Sequence, residues 1–401
     1  VTARDLVSLA SLAPVTYLDP GSTNYLQTDV SVPEIGASLL HAGFVNNTAY
    51  RGKGAIVLVY DTGIDWWHMD FRDPLDATKS RILFIWDQLL TPIPGESSPS
   101  GFSYGVEYTK AQIEAHFGAS PPNNIRTLDV NGHGTHVAGI AAGTGRALNK
   151  YVGVAPDADI IVVKGGDGSF SETRMIEGLT YAQDKATALG RPIVVNWSIG
   201  GQSGPHDGTR AYEVSVDNFV STPGRVVAIA AGNDGANLIH FGGTISTGGS
   251  STVTVIVPSP YTPNSGSNND RFIVEIWFNN NATVTSVVAF NGSAPGSTNG
   301  SVSLSNTISS LNGNRTVSLD VSDASGTAPA SGTWTVTLSN PSSNVTFDAW
   351  LSFRTMGATL NGADNNKSIS MPATAQGAIT VGAYATRWSW PTYLLGPAFG
   401  Y

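Results

Sequence analysis

Apolar residues along this chain follow two rhythms. Over the first 230 residues, short continuous apolar runs alternate with stretches of helical spacing. Residues 54–60, 159–164, 192–196 and 225–230 read as buried strands, and 133–143 and 173–189 as helices. A shorter helix runs from Val32-Pro33 to Ala42, where Gly43 stops it. Residues 82–128 read as a long excursion, with an amphipathic patch over 109–117. Strands alternating with helices predict a parallel sheet covered on both faces. From about residue 240 to 367 apolar positions alternate with Thr or Ser instead. Examples are Thr252-Val-Thr-Val-Ile-Val257, Arg271-Phe-Ile-Val-Glu-Ile-Trp277, Thr333-Trp-Thr-Val-Thr-Leu338 and Val345-Thr-Phe-Asp-Ala-Trp-Leu351. Asn/Gly/Ser turns separate them, which predicts an antiparallel β-sandwich of jelly-roll type inserted into the α/β part. Residues 378–383 read as the return to the parallel sheet.

Composition narrows the function classes. The 401 residues carry a formal charge of -9, and only 13% are charged. An acidic surface argues against nucleic acid and anionic membranes as partners. No apolar run reaches the length of a membrane span. Cysteine is absent, so neither disulfides nor thiolate metal sites contribute. The first residues, Val1-Thr-Ala-Arg-Asp5, lack the basic start and apolar stretch of a signal peptide, so any leader is expected to be removed already or to lie outside this sequence.

Candidate chemistry sits at strand ends. The run Val57-Leu-Val-Tyr-Asp61 closes on a carboxylate, where parallel sheets collect catalytic groups. The bland reading of Asp61 is a turn or cap residue. His133, in Asn131-Gly-His-Gly-Thr-His136, has glycine on both sides and opens a helix of small residues. A general base must be reachable, and flanking glycines leave room. His136 reads as a satisfied core residue. A metal pair of His133 and His136 fails on spacing, because helical ligands prefer i, i+4. Asn233, in Ala230-Ala-Gly-Asn-Asp-Gly235, follows the fourth strand; it is either an oxyanion donor or an ordinary Asn-Gly turn. Asn196-Trp-Ser198-Ile-Gly-Gly201 exposes backbone that could pair with an extended peptide.

Taken in order, Asp61-Thr-Gly, Gly132-His-Gly-Thr-His-Val-Ala-Gly139, Ser198-Ile-Gly-Gly201 and Ala231-Gly-Asn233 resemble the subtilisin-like serine peptidases, the subtilases. The resemblance covers about 50–237 and 369–385. It is nearest to the Csp-type subtilases of spore germination, through Arg81-Ile-Leu-Phe-Ile-Trp-Asp-Gln88 and Tyr104-Gly-Val-Glu-Tyr-Thr109. Those relatives also carry a jelly-roll insert before the nucleophile. The resemblance implies an Asp-His-Ser triad, an acyl-enzyme and a protein or peptide substrate. Asp61 would orient the imidazole, His133 would be the general base, and Asn233 would donate to the oxyanion. Ser198, Ile199, Gly200 and Gly201 would form one pocket wall and one partner strand. Gly168, Ser169 and Phe170 would form the opposing strand, and Gly232 and Asp234 would line the pocket. Asp234 there would tolerate basic side chains. No cofactor is required and no metal ligand is assigned. Asp70 matches a position that binds calcium in many subtilases and is the candidate for a structural calcium, although Met69 stands where the family usually has proline and the loop near 144–150 differs.

The nucleophile's Gly-Thr-Ser-(Met/Leu)-Ala motif is missing. Gly249-Ser-Ser251, Gly326-Thr-Ala328 and Gly357-Ala-Thr359 lie in or beside the alternating region, and none leads into a small-residue helix. The expectation is that these residues form the front of a subtilase. A Ser-bearing C-terminal segment of the same gene product would follow residue 401, either in one chain or as a separate one. The organisation expected is a propeptide remnant or arm over 1–29, the first part of the catalytic domain over 30–237, the insert over 238–367, and its continuation over 368–401. Residues 9–18 resemble a last propeptide strand. The expected setting is secreted, cell-surface or spore-associated. The alternative from another class is a catalytically inactive subtilase fold used as a sensor or binding protein. A third reading makes the insert a carbohydrate- or surface-binding module through Trp277, Trp334 and Trp350, against the plainer reading of them as core. The Asn-Xaa-Ser/Thr sites at Asn281 and Asn314 matter only in a glycosylating host.

Overall fold

The computed structural model describes residues 30–117, 124–267 and 269–383, with the backbone of 389–391 and 397–399. The arm over 1–29 lies outside the described residues. Seven strands build the central sheet. They are β1 (Ile56–Asp61), β2 (Ile82–Asp87), β3 (Val106–Thr109), β4 (Asp159–Lys164), β5 (Ile193–Trp197), β6 (Arg225–Ala230) and β16 (Ile379–Val381). Their order is β16-β6-β5-β1-β4-β2-β3, and every pair is parallel except β2 with β3.

Each face of this sheet has its own core. On one face α5 (Glu172–Leu189) and α6 (Ala211–Val220) cover Leu58, Tyr60, Ile161, Val163, Val195 and Trp197. On the other, Ala138 and Ala142 of α4 (His133–Ala142) meet Val59, Ile85, Ile160 and Val162. A strand apolar on both sides, such as Ile-Val-Leu-Val-Tyr-Asp, is stable only when covered twice. Each fully buried aliphatic side chain contributes about 1.5–3 kcal/mol. Small residues at 134, 138 and 142 form the packing stripe of α4 and let it lie close to β1.

Between β6 and β16 the chain forms two antiparallel sheets. One has the order β10-β13-β8-β15 and the other β11-β12-β9-β14-β7. Their strands are β7 (His240–Ile245), β8 (Ser250–Val257), β9 (Arg271–Phe278), β10 (Thr285–Phe290), β11 (Ser301–Ile308), β12 (Arg315–Ser322), β13 (Gly332–Ser339), β14 (Val345–Arg354) and β15 (Thr359–Leu360). Side chains of both sheets share one core, among them Val255, Phe272, Val274, Leu319, Trp334 and Phe347. The predicted alternation is visible in β9, where Phe272, Val274, Ile276 and Phe278 are buried and the residues between them are partly exposed. Trp334 is buried in this core, as the plainer reading expected. Trp350 is buried too, but on the other side of β14, stacked on His206. Trp277 lies on the half-exposed face of β9.

Three sequence expectations need correction. The helix expected over 32–42 is two short ones, α1 (Ser31–Glu34) and α2 (Ala37–His41), because Gly36 turns left-handed between them at φ +76. Residues 82–128 are not an excursion: the continuous apolar run at 82–86 is a fully incorporated strand, paired parallel to β4. The amphipathic patch over 109–117 is a single helical turn, α3 (Lys110–Glu114), started by a capping box of Thr109 and Gln112. The helix α6 was not singled out by its sequence.

Candidate active site

Asp61 is the last residue of β1 and is completely buried. Its Oδ1 accepts from the Thr62 N–H at 2.7 Å and from His133 Nδ1 at 2.7 Å. A carboxylate can only accept, so Nδ1 donates, and Nε2 is the nitrogen turned away from Asp61. The His133 side chain remains 47% exposed. The backbone gets it there through glycine. Gly132 turns at φ +86 just ahead of the helix. A Cβ on Gly134 would lie 2.3 Å from Gly63 O, so a larger residue would push the helix off β1. The structure thus brings Asp61 and His133 within a hydrogen bond of each other and leaves the imidazole reachable from solvent.

The proposed peptide-binding strands also meet. Gly168, Ser169 and Phe170 share the lining of one cavity of about 230 Å³ with Ile199, Gly200 and Gly201, together with Glu172, Met175, Tyr212 and Met371. Ser198 turns away, accepting from Asn196 Nδ2 at 3.0 Å. Met371 was not anticipated; it exchanges two backbone hydrogen bonds with Gly201, at 2.8 and 2.9 Å. Its neighbour Ser370 donates its N–H to Ala231 O at 2.9 Å, and its side chain packs against Gly200 and Gly232. This return segment therefore ties the loop after β5 to the loop after β6. A Pro directly after Met371, just upstream of an apolar strand run, was the available sequence signal.

Other candidates sit apart from the dyad. Asn233 is exposed after β6, at the same edge of the sheet as Asp61 and separated from β1 by β5. The Asp234 carboxylate accepts from Gln202 Nε2 at 3.0 Å and Asn237 Nδ2 at 2.7 Å, so neutral amides already occupy it. Asp70 Oδ1 accepts from the Ala147 N–H at 2.7 Å. Among the described residues no group of three His, Asp or Glu is placed to hold a metal. His136 is exposed and not a core residue, because it lies opposite the 134/138/142 stripe. Asp129, four residues ahead of His133, was missed; an Asp just before a helix start is a capping signal.

A sequence model of the subtilase family matches residues 52–352, three quarters of the chain. The chain belongs to the subtilase family. Among curated relatives, a subtilisin of Bacillus sp. (strain TA39) is 32% identical over 186 residues, covering 46% of this chain and 35% of that protein. Pyrolysin of Pyrococcus furiosus is 28% identical over 229 residues, covering 48% of this chain and 14% of that protein. The chain thus spans well under two thirds of these subtilases. Among solved structures, the Clostridium perfringens CspB protease matches with a TM-score of 0.70 and 24% identity, covering 89% of this chain and 73% of that one. The likeness is one of fold, and it agrees with the Csp-type resemblance. Among the described residues no helix of this subtilase is long and apolar enough to cross a membrane.

Proposed function

We propose that this chain carries the Asp–His part of a serine endopeptidase. The observation that carries the reading is the 2.7 Å bond from Asp61 to the Nδ1 side of a half-exposed imidazole. His133 Nε2 then takes the proton of an attacking serine hydroxyl and returns it to the leaving amine, while Asp61 stabilises the imidazolium. The hydroxyl comes from a segment that follows residue 401 in the whole protein, in the same chain or a separate one. Asn233 donates to the oxyanion. A peptide substrate lies extended between 168–170 and 199–201. The cavity between them, lined also by Met175, Tyr212 and Met371, takes an apolar side chain. The subtilase domain spans 30–237 and continues over 368–401. The two antiparallel sheets form an inserted jelly-roll sandwich over 238–367, and 1–29 is a propeptide remnant or an N-terminal arm. A secreted or surface setting belongs to the same reading.

Hydrolysis of an unfolded protein substrate by the whole protein tests it. His133→Ala should reduce turnover by several orders of magnitude and leave the urea midpoint of unfolding nearly unchanged. Turnover indifferent to His133 would favour the inactive sensor instead.

A further inference from the structure

The carboxylate of Asp129 joins the two elements that carry the dyad. Its Oδ1 accepts from Thr62 Oγ1 at 2.8 Å and from the Gly132 N–H at 2.9 Å. Its Oδ2 accepts from the Thr135 N–H at 2.8 Å and from Thr135 Oγ1 at 2.6 Å. Two further bonds close the ring: the Gly134 N–H donates to Thr62 Oγ1 at 2.9 Å, and the Asp65 N–H donates to Thr135 Oγ1 at 2.8 Å. Thr62 directly follows Asp61, and Gly132, Gly134 and Thr135 bracket His133. We propose that Asp129 is the positioning residue of the Asp61–His133 pair, setting the start of α4 so that Nδ1 stays within 2.7 Å of Oδ1.

The first N–H groups of a helix have no partner within it. An ordinary cap would satisfy them locally and leave the helix free to move as a body. Here the Thr135 N–H reaches Asp129, which also holds Thr62, and the Gly134 N–H reaches Thr62 itself. The helix start is therefore referred to the end of β1 and not only to itself. Lys164 supports the arrangement from the neighbouring strand, its Nζ donating to Leu128 O at 2.7 Å, which fixes the residue before Asp129. Burial alone would raise the Asp129 carboxyl, but the bonds from Thr135, Gly132 and Thr62 outweigh it and hold it below the usual range. These same bonds favour the ionised, accepting form.

The functional meaning of this role rests on the endopeptidase reading, but its test reads the hydrogen bond itself. In the whole protein, the low-field proton resonance of His133 Nδ1–H is followed by NMR and identified by its loss in Asp61→Asn. Asp129→Asn keeps one acceptor oxygen and presents an N–H₂ in place of the other. It should speed solvent exchange of the Nδ1 proton about tenfold or more while the urea midpoint shifts little. Asp129→Ala should abolish the resonance. Unchanged exchange in both variants overturns the proposal. So does acceleration matched by an equal loss of global stability, or loss of folding in both variants, because Asp129 would then hold the fold and not the pair. A whole protein that hydrolyses nothing overturns the enzymatic reading and leaves this result standing.

Discussion

Replacing Gly134 by alanine measures how closely α4 must sit on β1. The new Cβ would lie 2.3 Å from Gly63 O, 3.0 Å from Gly63 N and 3.1 Å from Asp61 Cβ. None of these atoms can swing aside, since two are backbone and the third is anchored to it. Ordinary contact begins near 3.4 Å, so the first turn of the helix must retreat by about an ångström. That takes a 2.7 Å bond between His133 Nδ1 and Asp61 Oδ1 past the reach of a hydrogen bond, about 3.2 Å. Overpacking of this kind costs about 1–3 kcal/mol, set against a gain of at most ~1 kcal/mol in helix propensity. A displacement of about 1 Å at a catalytic pair costs on the order of 10²-fold in rate. Gly139 is the internal control: it lies on the same helix, and nothing stands within 4 Å of its Cβ. Gly139→Ala should raise stability by up to ~1 kcal/mol and leave the pair intact. Urea unfolding of both variants, with the His133 Nδ1 proton as the local probe, reads the difference. If Gly134→Ala matches Gly139→Ala in stability and keeps that proton resonance, the close-approach argument is refuted.

Other outcomes follow from the same structure. His240 is buried, with Nδ1 2.7 Å from Asp364 Oδ1 and Nε2 2.9 Å from Asp348 Oδ1, so both nitrogens must donate. Burial lowers its pKa, but the two carboxylates win and raise it. Its stabilisation is therefore complete below the unfolded value of about 6.5 and is lost as pH rises through the higher folded value. The urea midpoint should fall on the alkaline side in the wild type, and His240→Gln should remove that part of the slope; Lys367, on Asp348 at 2.7 Å, and His206, stacked on Trp350, face the same cluster. Glu96 is pushed down to about 2, first by its hydrogen bond with Arg126, against burial, with further help from Tyr108 and the Ile93 N–H. That contribution is present above its ordinary value of 4.5 and is lost as pH falls from there towards 2. Acid unfolding followed by circular dichroism should lose this component in Glu96→Gln. Trp334→Ala, removing a fully buried ring 4.7 Å from Phe290, should cost about 3–5 kcal/mol in urea unfolding.

Much of the central sheet was legible because its strands are unambiguous apolar runs. The strands at 159–164 and 225–230 run between the same residues in sequence and structure. The strand at 82–87 was hidden by what surrounds it: the Pro- and Gly-rich stretch after it suggested a loop, while its partner strand β4 lies far along the chain. Period-2 alternation revealed β8, β9, β13 and β14, but not β11, where the alternation started by Val302 and Leu304 is broken by the part-buried Asn306 at the next inward position. At the site, the motifs announced Asp61 and His133, and geometry placed them within a hydrogen bond. Asp129 escaped notice because its importance lies in Thr62 and Thr135 converging on it, which spacing alone does not reveal. Met371 escaped because it reaches Gly201 from 170 residues away.

The central claim is that His133, oriented by Asp61, activates a serine hydroxyl supplied from beyond residue 401. Labelling the whole protein with a fluorophosphonate and locating the label by peptide mass spectrometry tests it most directly. The account predicts one modified serine in a peptide that follows residue 401, and no modification in His133→Ala. A label on a serine within 30–383, a label indifferent to His133, or no label at all would contradict it.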